Sequence, residues 1–217
     1  MEEEKKYTKI SELEFKKYLD NKEIYIVDTR EIPLCKKGYI RNSIIIPLSM
    51  SYSTWFPALI KGKSDAIIIT DKEHEKESLD KTGAFGSYNI LGYVLYDELV
   101  RNKSFIIEKI EYNTNTKEEI QKLVDNKKII IDIREIGEFK ETGIVKDALL
   151  IPLTTFKENF NKIPKEGDIY IYCKSGMRAV TGMTFAKREG YKNKFIIIEG
   201  GMLRTIKEGF QVVPYTG

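Results

Sequence analysis

Cysteine, histidine and tryptophan are scarce in this chain of 217 residues, which holds two, one and one of them respectively. Two cysteines, Cys35 and Cys173, are too few for a disulfide framework, and they favour a reducing, cytoplasmic compartment. A single histidine, His74, with no cysteine beside it, leaves a zinc centre without its ligands. It stands in a charged run, residues 71–77, and reads as a surface residue. An excess of one charge is also missing. Lys and Arg total 36 against 33 Asp and Glu, a formal net charge of +3, which argues against a dedicated nucleic-acid binder. No apolar run approaches the roughly 20 residues a membrane-spanning helix needs. The start, Met1-Glu2-Glu3-Glu4-Lys5-Lys6, is charged and has no apolar stretch after it, so no signal peptide is expected.

What is present is an internal repeat. Residues 24–48 read IYIVDTREIPLCKKGYIRNSIIIPL and residues 129–153 read IIIDIREIGEFKETGIVKDALLIPL. Asp28 matches Asp132, Arg30 matches Arg134, and Pro47 matches Pro152. A separation of about 105 residues is that of whole domains and exceeds the 20–50 of solenoid repeats. Each copy opens on a capping-box pattern, Ser11 with Glu14 and Thr116 with Glu119. The helices that follow are expected to turn Leu13, Tyr18 and Leu19, or Ile120, Leu123 and Val124, toward a core. Short β-branched runs come next, at 24–27, 44–46 and 67–69, then at 129–131, 149–151, 169–172 and 195–198. Strands of this kind, alternating with helical stretches, describe an α/β protein of two domains, 1–112 and 113–217, each a central parallel sheet flanked by helices.

The segment Tyr172-Cys173-Lys174-Ser175-Gly176-Met177-Arg178 carries the strongest chemical signal. A strand ends at Cys173 and a helix is expected from Met177 through Lys187, so the thiol stands at the carboxyl end of a parallel strand, ahead of a helix N-terminus. Loop amides and the positive helix end favour a thiolate there. Lys174 and Arg178 add cationic charge, and Gly176 lets the loop close around sulfur. A buried packing cysteine is the competing reading. The polar, cationic loop favours a reactive or anion-binding one. Asp132 and Arg134 either brace the loop framework or touch substrate, and bracing is favoured. Cys35 reads as a packing residue. Trp55, with Tyr52 and Phe56, either fills the first core or covers the site between domains, and the core is favoured. The Gly200-Gly201 pair reads as a tight turn.

The second half resembles the rhodanese superfamily in IIIDIREIGEF, TGIVKDALLIPL, YCKSGMRA and GYKNKFIIIEGGM, which occur in the family's order. The short Cys173-to-Arg178 spacing resembles that of sulfurtransferases; the related phosphatases have one residue more. The resemblance implies sulfur transfer through a Cys173 persulfide, from thiosulfate or a persulfide to a thiol or cyanide acceptor, with Lys174, Ser175, Gly176, Met177 and Arg178 around the substrate and Asp132 and Arg134 in support. No metal or organic cofactor is implied, and no nucleic acid or membrane. A partner protein of sulfur metabolism is compatible with it. The first half resembles the cysteine-free rhodanese domain of tandem proteins fused to a metallo-β-lactamase-fold persulfide dioxygenase, through SYSTWFPALIKGKSDAIIIT and ITDKEHEKESLDKTGAFGSYNILGYV. It is expected to be inactive. Two features depart from the family: Ile144 and Tyr39 stand where His is common, and Thr205 where Trp is usual. Two other readings stand beside this one. They are a non-catalytic binding or persulfide-relay module, and a phosphatase or arsenate reductase that uses the same thiolate.

Overall fold

Runs of Ile and Val bury side chains on both faces of a strand, which suits parallel sheets covered by helices. The computed structural model describes residues 7–49, 51–101 and 103–217; the charged run at 1–6 lies outside them. The chain divides into two compact units, the first ending at Lys109 and the second spanning Ile110–Gly217.

The first unit contains α1 (Glu12–Tyr18), β1 (Ile24–Asp28), α2 (Ile32–Cys35), β2 (Tyr39–Ile40), β3 (Ile44–Ile45), α3 (Tyr52–Leu59), β4 (Asp65–Thr70), α4 (Glu75–Gly83), β5 (Asn89–Leu95), α5 (Tyr96–Arg101) and β6 (Ile107–Glu108). Its sheet runs β3-β1-β4-β5, all parallel. A small antiparallel ribbon joins β2 to β6. The second unit contains β7 (Glu111–Asn113), α6 (Lys117–Asp125), β8 (Ile129–Asp132), α7 (Ile136–Thr142), β9 (Leu149–Leu150), α8 (Phe156–Asn159), β10 (Ile169–Tyr172), α9 (Met177–Arg188), β11 (Phe195–Ile198) and α10 (Gly201–Lys207). Its sheet runs β7-β11-β10-β8-β9, again all parallel. The chain is therefore α/β, with parallel sheets flanked by helices. The polar stretch at 112–115, read from sequence as the boundary, begins inside β7, which pairs with β11.

The repeated sequence builds repeated devices. Asn42 and Asp147 both take left-handed backbone angles, φ 67° and 61°, in the turns before β3 and β9. Short polar side chains tolerate that conformation best after glycine. Ser11 and Thr116 cap their helices by accepting from the amides of Glu14 and Glu119.

One core expectation is corrected. Leu13 is 73% exposed, and Phe15 is the buried residue of α1. Phe15, Tyr18 and Leu19 stand three and four residues apart and share the face that packs on Ile26, Ile67 and Val94. Leu13, two residues before Phe15, falls on the opposite side. In the second unit Ile120 and Leu123 are buried with Val124 against them. Among the described residues no helix is long and apolar enough to cross a membrane.

Candidate active site

Tyr172 of β10 pairs in register with Asp132 of β8, so the two strands end together and Cys173 emerges at the carboxyl edge of the sheet, where open α/β sheets hold their sites. The loop from Cys173 to Gly176 joins β10 to α9. Gly176 adopts φ 107°, outside the range that side chains tolerate. Its N–H points back at the Cys173 Sγ, 3.1 Å away. An amide aimed at sulfur at a helix N-terminus stabilises negative charge on it. Cys173 is 1% exposed and forms the floor of the loop.

A second turn holds this loop from outside. The amides of Met202 and Leu203 donate to the carbonyls of Cys173 and Lys174 at 2.8 and 3.1 Å. The approach is so close that a Cβ on Gly201 would lie 2.1 Å from the Cys173 carbonyl oxygen. This is the physical role of Gly201 in the turn. Buried Asn115 clamps the turn: its Nδ2 donates to the carbonyls of Glu199 and Gly201 at 2.9 Å each. The Thr205 hydroxyl donates to Asn115 Oδ1 at 3.0 Å, so the departure at Thr205 has a structural task.

Arg178 is engaged by a residue that sequence reading passed over. Its Nη1 and Nη2 donate to the two carboxylate oxygens of Glu138 at 2.5 and 2.7 Å, a bidentate pair. Glu138 also accepts from the Glu135 amide at 2.9 Å, and the Glu135 side chain accepts from the Thr154 hydroxyl at 2.6 Å. The reciprocal Glu135–Glu138 capping box at the start of α7 was the available signal. Burial opposes the Arg178 charge, but Glu138 and the Cys173 sulfur raise its pKa above the ordinary value. Burial also works against the Glu138 carboxylate, yet the Arg178 hydrogen bonds, the Glu135 amide and the Arg134 charge hold its pKa below 4.5. A depressed carboxylate contributes stability that is complete above its unfolded pKa and is lost as pH falls through the folded one. Glu138→Gln is therefore expected to flatten the loss of stability below about pH 4.5, measured by urea midpoints against pH. An acid limb as steep as that of wild type would refute this assignment.

Asp132 and Arg134 form a buried pair, 0% and 1% exposed, with Nη2 to Oδ2 at 2.6 Å. Asp132 also takes the Arg134 amide at 3.0 Å, and Arg134 reaches the Gly143 carbonyl at 2.7 Å and the Thr142 hydroxyl at 2.6 Å. In the first unit Asp28 and Arg30 repeat the arrangement, with Arg30 reaching the Gly38 carbonyl at 3.1 Å.

Lys174 and Ser175 are exposed on the loop, and Met177, at the helix start, is 37% exposed. Beside the loop a cavity of about 120 Å³ is lined by Arg134, Glu138, Lys174, Met202, Leu203 and Ile206 among others. A larger cavity, about 440 Å³, lies past the far end of α9 around Tyr191 and Asn193 and touches no residue of the loop.

The first unit has no thiol at the matching place. Ile69 pairs with Asp28 as Tyr172 pairs with Asp132, which puts Thr70 where Cys173 stands. Its hydroxyl lies 2.8 Å from that of Ser78, which is itself 3.0 Å from the Thr29 hydroxyl, all three buried. The following loop carries Asp71 and Glu73, α4 opens on Glu75, and Asp71 accepts from the His74 amide at 2.9 Å. The His74 side chain is 37% exposed, and its hydrogen bond to Asp71 raises its pKa. Cys35 is fully buried 3.6 Å from the Arg30 carbonyl, and burial pushes its thiol pKa well up. Tyr52, Trp55 and Phe56 are buried; Phe56 stacks on Phe85 at 5.0 Å.

Residues 116–207 match the family model described as Rhodanese-like domain. A sulfurtransferase from Allochromatium vinosum is 30% identical over 98 residues, 45% of this chain and 90% of that protein. The putative sulfurtransferase YtwF of Bacillus subtilis is 30% identical over 87 residues, 40% of this chain and 80% of its own length. The crystal structure of a thiosulfate sulfurtransferase from Pseudomonas aeruginosa aligns with 94% of this chain and 43% of its own at 15% identity, with a TM-score of 0.40.

Proposed function

This chain belongs to the rhodanese-like family, and we propose that it is a sulfurtransferase that carries sulfane sulfur on Cys173. The observation that supports this most directly is the Gly176 amide set on the Cys173 sulfur at 3.1 Å, between a strand end and a helix start. That geometry serves a thiolate and then the outer sulfur of a persulfide.

Transfer proceeds in two displacements. The Cys173 thiolate attacks the outer sulfur of the donor. A new S–S bond forms, the donor's S–S bond breaks, and its electron pair leaves with sulfite when the donor is thiosulfate, or with a thiolate when it is a persulfide. The Cys173 persulfide then gives its outer sulfur to the acceptor. Cyanide leaves as thiocyanate, a thiol leaves as a persulfide, and the Cys173 thiolate is restored. Lys174, Ser175 and Met177 border the path of the donor, while Asp132 and Arg134 hold the strand end from which Cys173 projects. The first unit is a second copy of the fold that lacks the thiol and is inactive in this chemistry.

A second reading draws on Thr70 in the first unit and on the depth of Cys173: a binding module that relays persulfide within a partner complex. One experiment separates the two. Purified protein incubated with thiosulfate, or with 2-hydroxyethyl persulfide, is expected to gain the mass of one sulfur atom, to lose it on addition of cyanide, and to gain nothing as Cys173→Ser. If wild type gains nothing while Cys173 remains free to alkylation, the enzyme reading falls and the binding module replaces it.

A further inference from the structure

We propose that Glu138 is the residue that sets donor specificity: by pairing with Arg178 and neutralising its charge it disfavours a compact dianion such as thiosulfate and directs Cys173 toward persulfide donors. The inference rests on the sulfur-transfer reading and narrows it to one substrate class.

The two donors differ in what leaves. Attack on thiosulfate expels sulfite, with two negative charges beside the new persulfide. Attack on a persulfide expels a thiolate with one charge, on a tail that extends away from the loop. A site that favours the dianion needs guanidinium charge that no carboxylate has already neutralised, facing the leaving group. Here Arg178 gives one N–H from each terminal nitrogen to Glu138, at 2.5 and 2.7 Å, so its charge is already met by a carboxylate. Arg134, which also lines the adjoining cavity, is held by Asp132 at 2.6 Å. The guanidinium charges that border the loop are thus each matched by a carboxylate, and Lys174, which lines the same cavity from the exposed side of the loop, offers only a solvated charge. The pair is fixed rather than incidental. Glu138 is 21% and Arg178 12% exposed at the side chain, and the Glu135 amide holds the same carboxylate from behind. Reorienting Arg178 toward a donor would leave Glu138 half-buried and unpaired, beside an incoming anion of its own sign.

The expected result is a ratio. The rate at which wild-type protein gains one sulfur mass from 2-hydroxyethyl persulfide exceeds its rate from thiosulfate by roughly tenfold or more. In Glu138→Gln that ratio falls by about tenfold, because removing one nearby charge changes the energy of a dianion more than that of a monoanion. Glu138→Asp keeps the carboxylate and keeps the preference for persulfide, a rescue that loss of packing would not give. Thermal melts establish that each variant is folded. If the Gln variant does not fold, the preference of wild type and of the Asp variant decides. Loading from both donors at one rate, or an unchanged ratio in folded Glu138→Gln, overturns this inference alone. No loading from either donor overturns the sulfur-transfer reading and this inference with it.

Discussion

Asp132→Ala is expected to destabilise the second unit by about 3–5 kcal/mol, because it leaves the Arg134 guanidinium charged, buried and without its counter-ion. Arg134 is 1% exposed, so water does not replace the lost partner. Asp132 accepts from the Arg134 amide, Nε and Nη2, and all three bonds go at once. The contacts that remain to Arg134, at the Gly143 and Glu138 carbonyls and the Thr142 hydroxyl, are neutral acceptors. They hold the guanidinium in place without balancing its charge. Asp132→Leu combined with Arg134→Met removes both charges and is expected to recover most of the loss, as buried pairs exchanged for apolar groups often do. Urea unfolding of wild type, the single variant and the double variant provides the measurement, with the slope compared among them. A single-variant loss under about 1 kcal/mol would mean that the pair is not a brace and that Arg134 is held for some other use.

The same pair shows why much of the framework was legible. A carboxylate and a guanidinium two residues apart after a β-branched run, met twice in one chain with glycine eight or nine residues on, describe a local structure that depends on few distant contacts. The strands at Ile169–Tyr172 and Phe195–Ile198 were readable to the residue for a related reason. Continuous β-branched runs fit a strand buried on both faces, and little competes with that reading.

Strand β5 was not readable. Asn89–Leu95 mixes a polar residue, a glycine and one aromatic, Tyr93, and its register against β4 shifts between Ala66 and Ile67. Gly92 stands at φ 155°, where a Cβ would meet the Thr8 carbonyl oxygen at 2.3 Å. A bulge and a close backbone approach dictated those residues, and both break the alternation by which a strand is recognised. Strand β7, Glu111–Asn113, is three residues long and polar, and only its pairing to β11 defines it. At the site, the loop from Cys173 to Arg178 could be found because its residues are contiguous. Glu138 could not be attached to it, since 40 positions separate Glu138 from Arg178 and the pairing arises only when the first turns of α7 and α9 come within side-chain reach. Asn115 is further still, 86 positions from the glycine turn it clamps.

The close approach of two turns at Cys173 leads to the second large expected effect. Gly201→Ala is expected to slow sulfur loading of Cys173 by about a hundredfold, the order that a misplacement of roughly 1 Å produces in a catalytic group. The new Cβ would stand 2.1 Å from the Cys173 carbonyl oxygen and 2.8 Å from that of Lys174. Both are backbone atoms, so no side chain can swing aside, and one of the two segments must move. If the turn withdraws, the amides of Met202 and Leu203 leave the carbonyls they hold at 2.8 and 3.1 Å. If the loop withdraws, the Gly176 amide loses its aim at sulfur. Either movement separates the thiol from the groups that stabilise it. Gly209→Ala is the control. Gly209 has φ 79° and open space where its Cβ would be, so it bears only the strain of the left-handed backbone, about 1–2 kcal/mol. Loading rates by intact mass, set beside thermal melts, distinguish the two effects. Gly209→Ala is expected to lose stability and keep loading, and Gly201→Ala to lose loading far beyond its loss of stability. Equal behaviour of the two variants would show that backbone strain, and not the contact with the Cys173 carbonyl, is what glycine relieves at position 201.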